Sequence, residues 1–193
     1  MTHNVNLGVG NSAESGTTGM FYRAPAGTAL PTYPSASLAS GWVEAGMISH
    51  DGITFNSNIS YDDLKNWANK IVRQIPGEDA PTVSAPIMET SEASFKTIFG
   101  EDNVTVTAAN ATHGKLVSVN VQSDSLAEGQ AYLFLMKDGD DMLMIGTTKG
   151  YISELGEVSF APDSSINWDA TIKADAWTIL KDDGQVTGAT GTT

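Results

Sequence analysis

RAPAGTALPTYPSASLASGWVEAGMISHDGITF, residues 23–55, is the stretch on which the fold turns. Pro25, Pro31 and Pro34 each bias the preceding residue away from helix, so the segment opens extended. A run of small residues from Ser35 to Gly41 follows. The pattern then predicts a short strand around Trp42 to Ile48, a turn at His50-Asp51-Gly52, and a second strand from Ile53. It reads as an arm feeding a hairpin. With few large apolar residues, such an arm is expected to gain little by docking on its own domain. Deleting residues 1–30 is therefore expected to leave a folded subunit.

Downstream, Ser60 is placed to cap a helix, with Asp62 and Asp63 in its first turn. Leu64, Trp67, Ala68 and Ile71 fall at i, i+3, i+4 and i+7, which predicts one apolar stripe on a short loop helix. A strand is expected from Ile71 to Ile75. Residues 80–88 alternate in part, but Pro81 and Pro86 cannot donate to a ladder, so an edge or broken strand is expected. A second helix follows, capped by Thr90 or Ser91, with Glu92 in its first turn, Phe95, Ile98 and Phe99 on its buried face, and Gly100 ending it.

Strands make up most of the rest. Val104 and Val106 alternate with Thr, and Val117, Val119 and Val121 alternate with polar residues. AYLFLM (131–136) and MLMI (142–145) flank an Asp-Gly turn signal and read as central strands. A further strand is expected from Tyr151 to Phe160, and Ile166 to Ala174 alternates cleanly. The expected architecture is mainly β: a β-sandwich or open barrel with one flanking helix, a short loop helix and an extended N-terminal arm. Residues 1–22 read as a flexible segment, 23–180 as one domain, and 181–193 as a polar tail.

The chain has 193 residues, 10 Lys plus Arg against 23 Asp plus Glu, and a net charge of −13. That balance argues against a protein that grips nucleic acid through clustered cations. There is no cysteine, so no disulfide, thiolate metal site or Cys nucleophile is available. The first residues, MTHNVNLGVGNSAESG, lack the basic and apolar regions of a secretory signal, and no apolar run approaches membrane-spanning length. His3, His50 and His113 belong to no hydrolase or metalloprotease motif, so no catalytic, metal or cofactor site is expected. Asp138-Gly-Asp-Asp141 lacks the spacing of a calcium loop and suits a solvated turn. Trp67 and Trp168 fall on apolar faces and are expected in the core. Trp42 and Trp177 leave open a second class, a monomeric carbohydrate-binding module.

Several stretches, taken in order, resemble the major tail tube proteins of long, flexible-tailed bacteriophages. They are the Arg23–Thr32 segment; Trp42-Val43-Glu44, Gly46, Ile48-Ser49 and Asp51-Gly52-Ile53-Thr54; Asp62-Asp63-Leu64-Lys65-Asn66-Trp67; Phe99 to Thr105; and Gly156 to Phe160. The resemblance spans roughly residues 22–175. It implies a tail-tube-type sandwich that forms homohexameric rings stacked into a tube, with DNA passing through the lumen. It implies tape measure and tail-tip proteins as partners, no cofactor, no membrane insertion, and a place in the virion after assembly in the host cytoplasm. A single-ring tail completion or distal tail protein is the alternative within the same fold. Contacts between subunits and rings are expected from the arm and the long loop: Phe21, Arg23, Pro25, Leu30, Pro31, Trp42, His50, Asp51, Asp62, Asp63, Lys65 and Asn66.

Overall fold

The structure, a computed structural model, describes residues 21–77, 79–122, 126, 129–138, 141–160 and 166–183. Of the segments expected to be flexible, 1–22 and 181–193, residues 1–20 and 184–193 lie outside this range, while Phe21 and Tyr22 belong to a strand and so do Lys181 and Asp182. Residues 139 and 140 of the expected Asp-Gly turn lie outside it too.

The chain is mainly β. Its strands are β1 (Phe21–Pro25), β2 (Val43–Glu44), β3 (Thr54–Asn56), β4 (Tyr61–Lys65), β5 (Ile71–Pro76) and β6 (Thr82–Ile87), followed after helix α1 (Glu92–Phe99) by β7 (Val104–Thr107), β8 (Leu116–Val119), β9 (Gln130–Asp138), β10 (Asp141–Leu155), β11 (Trp168–Lys173) and β12 (Thr178–Asp182). One eight-stranded antiparallel sheet runs β2-β1-β9-β10-β11-β6-β3, with β12 also on β10. It is open, not closed into a barrel. Strand β10 turns the corner. Its first half pairs with β9 and β12, and its second half pairs with β11. The register on β9 shifts between Thr147 and Gly150, which lets one long strand serve both halves. The stretches expected as separate strands at 142–145 and 151–160 are therefore one strand as far as Leu155, and residues 156–160 lie outside any strand.

The two halves enclose a shared core. Phe21, Tyr132 and Phe134 come from one side, while Val83, Ala85, Ile87, Ala170 and Ile172 come from the other. Alternation explains the second set: in β6 Val83, Ala85 and Ile87 are buried while Ser84 between them is exposed. Strand β6 is not the edge strand its prolines suggested, because it lies between β11 and β3. Pro86 is tolerated because its carbonyl accepts from Ser49 N–H beyond the end of β3. Its missing donor lies on that same side, where no β3 residue needs it.

Helix α1 closes one end of the core as its sequence forecasts. Ser91 is the N-cap: its Oγ accepts from Ser94 N–H, and Ser94 Oγ accepts from Ser91 N–H. Gly100, at φ 82°, ends it. Ile98 and Phe99 are buried, and Thr97 Oγ1 donates to Ala45 O at 2.9 Å, tying the helix to the chain after β2. Phe95 and Phe99 meet Trp168 edge-on, at 5.5 and 6.0 Å between ring centroids.

The β7–β8 hairpin leans on this helix through Glu92, which accepts from Lys96 and Lys115. Hydrogen bonds from Lys115 first and Lys96 second hold the Glu92 carboxyl down to about 2. A depressed carboxylate contributes stability above its unfolded value, near 4.3, and loses it as pH falls toward the folded one. Protection of the β8 amides relative to intrinsic exchange should therefore fall between about pH 4 and pH 2, and Glu92→Gln should remove that acid step. An unchanged acid profile in Glu92→Gln would show that this contact does not govern the hairpin.

Two expectations are corrected. Among the described residues there is one helix, and the stretch read as a loop helix is the β4–β5 hairpin. Leu64, Trp67, Ala68 and Ile71 do repeat at helical spacing, but no apolar surface faces them, so the stripe has nothing to bury against. Asn66 and Asn69 turn the chain instead, and Asp63 accepts from Gln74 across the strands at 3.1 Å rather than standing at a helix N-terminus. The arm is also not free. Residues 21–25 form β1, which pairs with both β2 and β9. Leu30, Leu38 and Trp42 then fold over the sheet onto Ala131, Leu133 and Met144, forming a second apolar cluster.

Candidate assembly surfaces

The structure separates the residues expected at contacts into two groups. Phe21, Arg23 and Trp42 are buried within their own chain, at 0%, 7% and 9% exposure. Phe21 stacks on Phe134 at 4.4 Å between ring centroids. Leu30 packs against the second cluster, and Pro31 beside it is half-buried. Pro25 is exposed at the end of β1. His50 and Asp51 are exposed in the turn before β3, 3.3 Å apart, with Ser49 Oγ also hydrogen-bonded to Asp51. Asp62, Asp63, Lys65 and Asn66 all sit exposed on the β4–β5 hairpin.

Arg23 shows why the first group stays inside. Its guanidinium lies 3.1 Å from Glu101, which follows α1, so one ion pair joins the first strand to the helix end. Beside it Tyr132 is buried, which pushes its phenol far above the usual range and keeps it neutral. Glu101→Ala is expected to cost about 1–2 kcal/mol, because the glutamate is largely exposed while the arginine is not. Urea titration should show it, and a loss below about 0.3 kcal/mol would mean that water replaces the carboxylate.

The hairpin is the opposite case. Every residue of β4 and β5 is exposed. Ile59, Tyr61, Leu64, Trp67, Ile71, Val72 and Ile75 offer large apolar surface to solvent, and Trp67 is fully exposed. The expectation that Trp67 belongs to the core is corrected: Trp42, Trp168 and Trp177 pack in the core or against it, whereas Trp67 stands out in solvent. A two-stranded ribbon with neither face covered is marginal in water, and an apolar one gains by being covered. Sequence reading reached these residues through a helical stripe. The signal available for a ribbon was Asn66 and Asn69 between two short runs containing Tyr, Ile and Val.

A second surface is the open edge of the sheet. Among the described residues β3 pairs only with β6, and the last five residues of β10, 151–155, pair only with β11. Those two edges carry backbone donors and acceptors able to accept a further strand. Among the described residues no group of His, Asp and Glu is arranged to hold a metal ion, and no helix is long and apolar enough to cross a membrane.

A family model described as "Phage tail tube protein" matches residues 11–183. No curated protein matches the chain. Among solved structures, the cryo-EM structure of the anti-feeding prophage cap (AFP tube terminating cap) is similar at 13% identity and a TM-score of 0.44, covering 86% of this chain and 91% of that one.

Proposed function

Because the chain belongs to the phage tail tube protein family, we propose that its copies close into hexameric rings which stack into the tube that carries DNA during infection. As a family member it is a structural component of the phage tail. The observation that carries the finer reading is the β4–β5 hairpin, an exposed apolar ribbon that its own subunit leaves uncovered. A neighbouring copy covers it in a stack.

Ring closure uses the open sheet edges. The edge at β3 of one subunit meets the edge at β10 of the next, so that the sheets continue around the lumen and these two edges are covered. Acidic side chains facing that lumen keep DNA phosphate from adhering, in line with a net charge of −13. Tape measure and tail-tip proteins are the partners at the tube's interior and its end, and assembly takes place in the host cytoplasm. The turn at His50 and Asp51 contributes to contacts between subunits.

Negative-stain electron microscopy of concentrated protein, beside a light-scattering mass, tests this reading. Hollow tubes of stacked rings are the expected result. Single rings that never lengthen would favour a completion-type role, and a monomer that binds polysaccharide through Trp67 would overturn the tube.

A further inference from the structure

Among the described residues four buried side-chain polar atoms find no hydrogen-bond partner in the protein: Arg23 Nε, Trp42 Nε1, Gln130 Oε1 and Tyr132 Oη. Trp42 belongs to the second apolar cluster, on the other face of the sheet. The remaining three fall together. Arg23 lies directly across from Tyr132, and Pro25 directly across from Gln130, on the β1–β9 ladder. Phe21, Tyr132 and Phe134 line the shared core, and alternation from them puts Arg23 and Gln130 on that same inner face. Directly opposite residues stand about 5 Å apart at Cβ, and residues two apart on one strand about 7 Å, within reach of side chains this long.

Their place is the corner of β10. Tyr132 pairs with Thr147 and Gln130 with Gly150, so a step of two residues on β9 faces a step of three on β10, and the bulge lies against this pair. A Cβ on Gly150 would stand 3.2 Å from the Tyr132 ring, so the ring fills the inside of the bend. Arg23 gives its Nη2 to Glu101, which is largely exposed, and Nε is left on the buried side of the guanidinium. Tyr132 has no exposure, and burial holds its phenol far above the usual range, so it keeps its proton to donate.

Desolvated polar groups are costly, and in folded proteins they pair with the protein or with ordered water. The three atoms are complementary: Arg23 Nε–H and Tyr132 O–H donate, and Gln130 Oε1 accepts. A water molecule accepts two hydrogen bonds and donates two, so it can match all three, the number of bonds typical of buried waters. A halide would accept from both donors but has no proton for Gln130. We propose that Arg23, Tyr132 and Gln130 bind one internal water at the inside of the β10 corner, which accepts from the arginine and the tyrosine and donates to the glutamine. It ties β1 to β9 where β10 leaves one half of the sheet for the other. The site is internal to one subunit and independent of any ring or stack.

A double-mutant cycle on the full chain, read by tryptophan fluorescence through a urea titration, tests the shared water. Tyr132→Phe removes one donor and keeps the ring, and Gln130→Met removes the acceptor at similar size. Each single variant should lower the folding equilibrium constant about three- to tenfold. The double variant should lose less than the product of the two, by about threefold or more, because the second change finds the water already released. A hydroxyl buried without a partner demands the opposite sign, since its removal relieves a desolvated group, so a neutral or stabilised Tyr132→Phe would overturn the site. Losses that simply multiply would also overturn it, by making the two side chains independent. Replacing chloride with gluconate at equal ionic strength should leave the coupling unchanged, and its disappearance would put a halide there instead. In dilute ¹⁵N-labelled protein, Arg23 Nε–H should give a direct cross-peak to a long-lived water. A coupling without that cross-peak would assign it to direct packing of Gln130 on Tyr132 and sink the proposal.

Discussion

A subunit in which residues 61–76 are replaced by a short Asn-Gly turn should fold normally and form no tubes. None of the sixteen residues removed is buried, and the core residues all lie outside this segment. The hairpin's base is a local closure, with Gly77 N–H donating to Ser60 O and Asn58 donating to Ala80 O, so a tight turn can bridge its ends. The stability change is expected within about 0.5 kcal/mol, as for surface changes that empty no cavity. Elongation depends on the apolar surface of the ribbon, and tube length in micrographs should fall to single rings or less. Full-length tubes from the shortened chain would remove the hairpin from assembly. Failure to fold would make it an internal structural element instead.

Phe21→Ala should destabilise the subunit by about 3–5 kcal/mol, the cost of emptying a closely packed aromatic site. Phe21 has no exposure, stacks on Phe134, and lies 6.1 Å from Tyr132 between ring centroids. Its strand is central, paired on one side with β2 and on the other with β9 over Phe21 to Pro25. Deleting residues 1–30 should then prevent folding, since it removes that strand and the Leu30 contact on the second cluster. Against a typical total of about 5–15 kcal/mol, even the point substitution is severe. Tryptophan fluorescence through a urea titration reads both. A cost below about 1 kcal/mol for Phe21→Ala, or a folded deletion variant, would show that the β1 pairing is dispensable.

This reverses the expectation drawn from composition alone, and the reason is physical. Counting large apolar residues in the 23–41 segment found few, but burial depends on what a residue meets. Ala24 and Arg23 are small or charged, and both are buried because a strand ladder carries them inside. Leu30, Leu38 and Trp42 are widely spaced in sequence, yet one sheet face collects them. The helical stripe at Leu64, Trp67, Ala68 and Ile71 failed for the converse reason. Periodicity records a possible face and says nothing about whether a partner surface lies opposite it.

Elements whose instructions are local were legible without the structure. The cap at Thr90 or Ser91, the stop at Gly100, the alternation of β11, and the continuous apolar runs of β9 and β10 each need only neighbouring residues. The absence of cysteine and the net charge of −13 likewise bounded the chemistry from residue counts. What only the tertiary structure decided was non-local: that β1 belongs to the sheet, that β10 bends to serve both halves, and that the β4–β5 ribbon is left uncovered. Each depends on which surfaces meet across distant parts of the chain, and a one-dimensional pattern carries the propensity for a contact but not its partner.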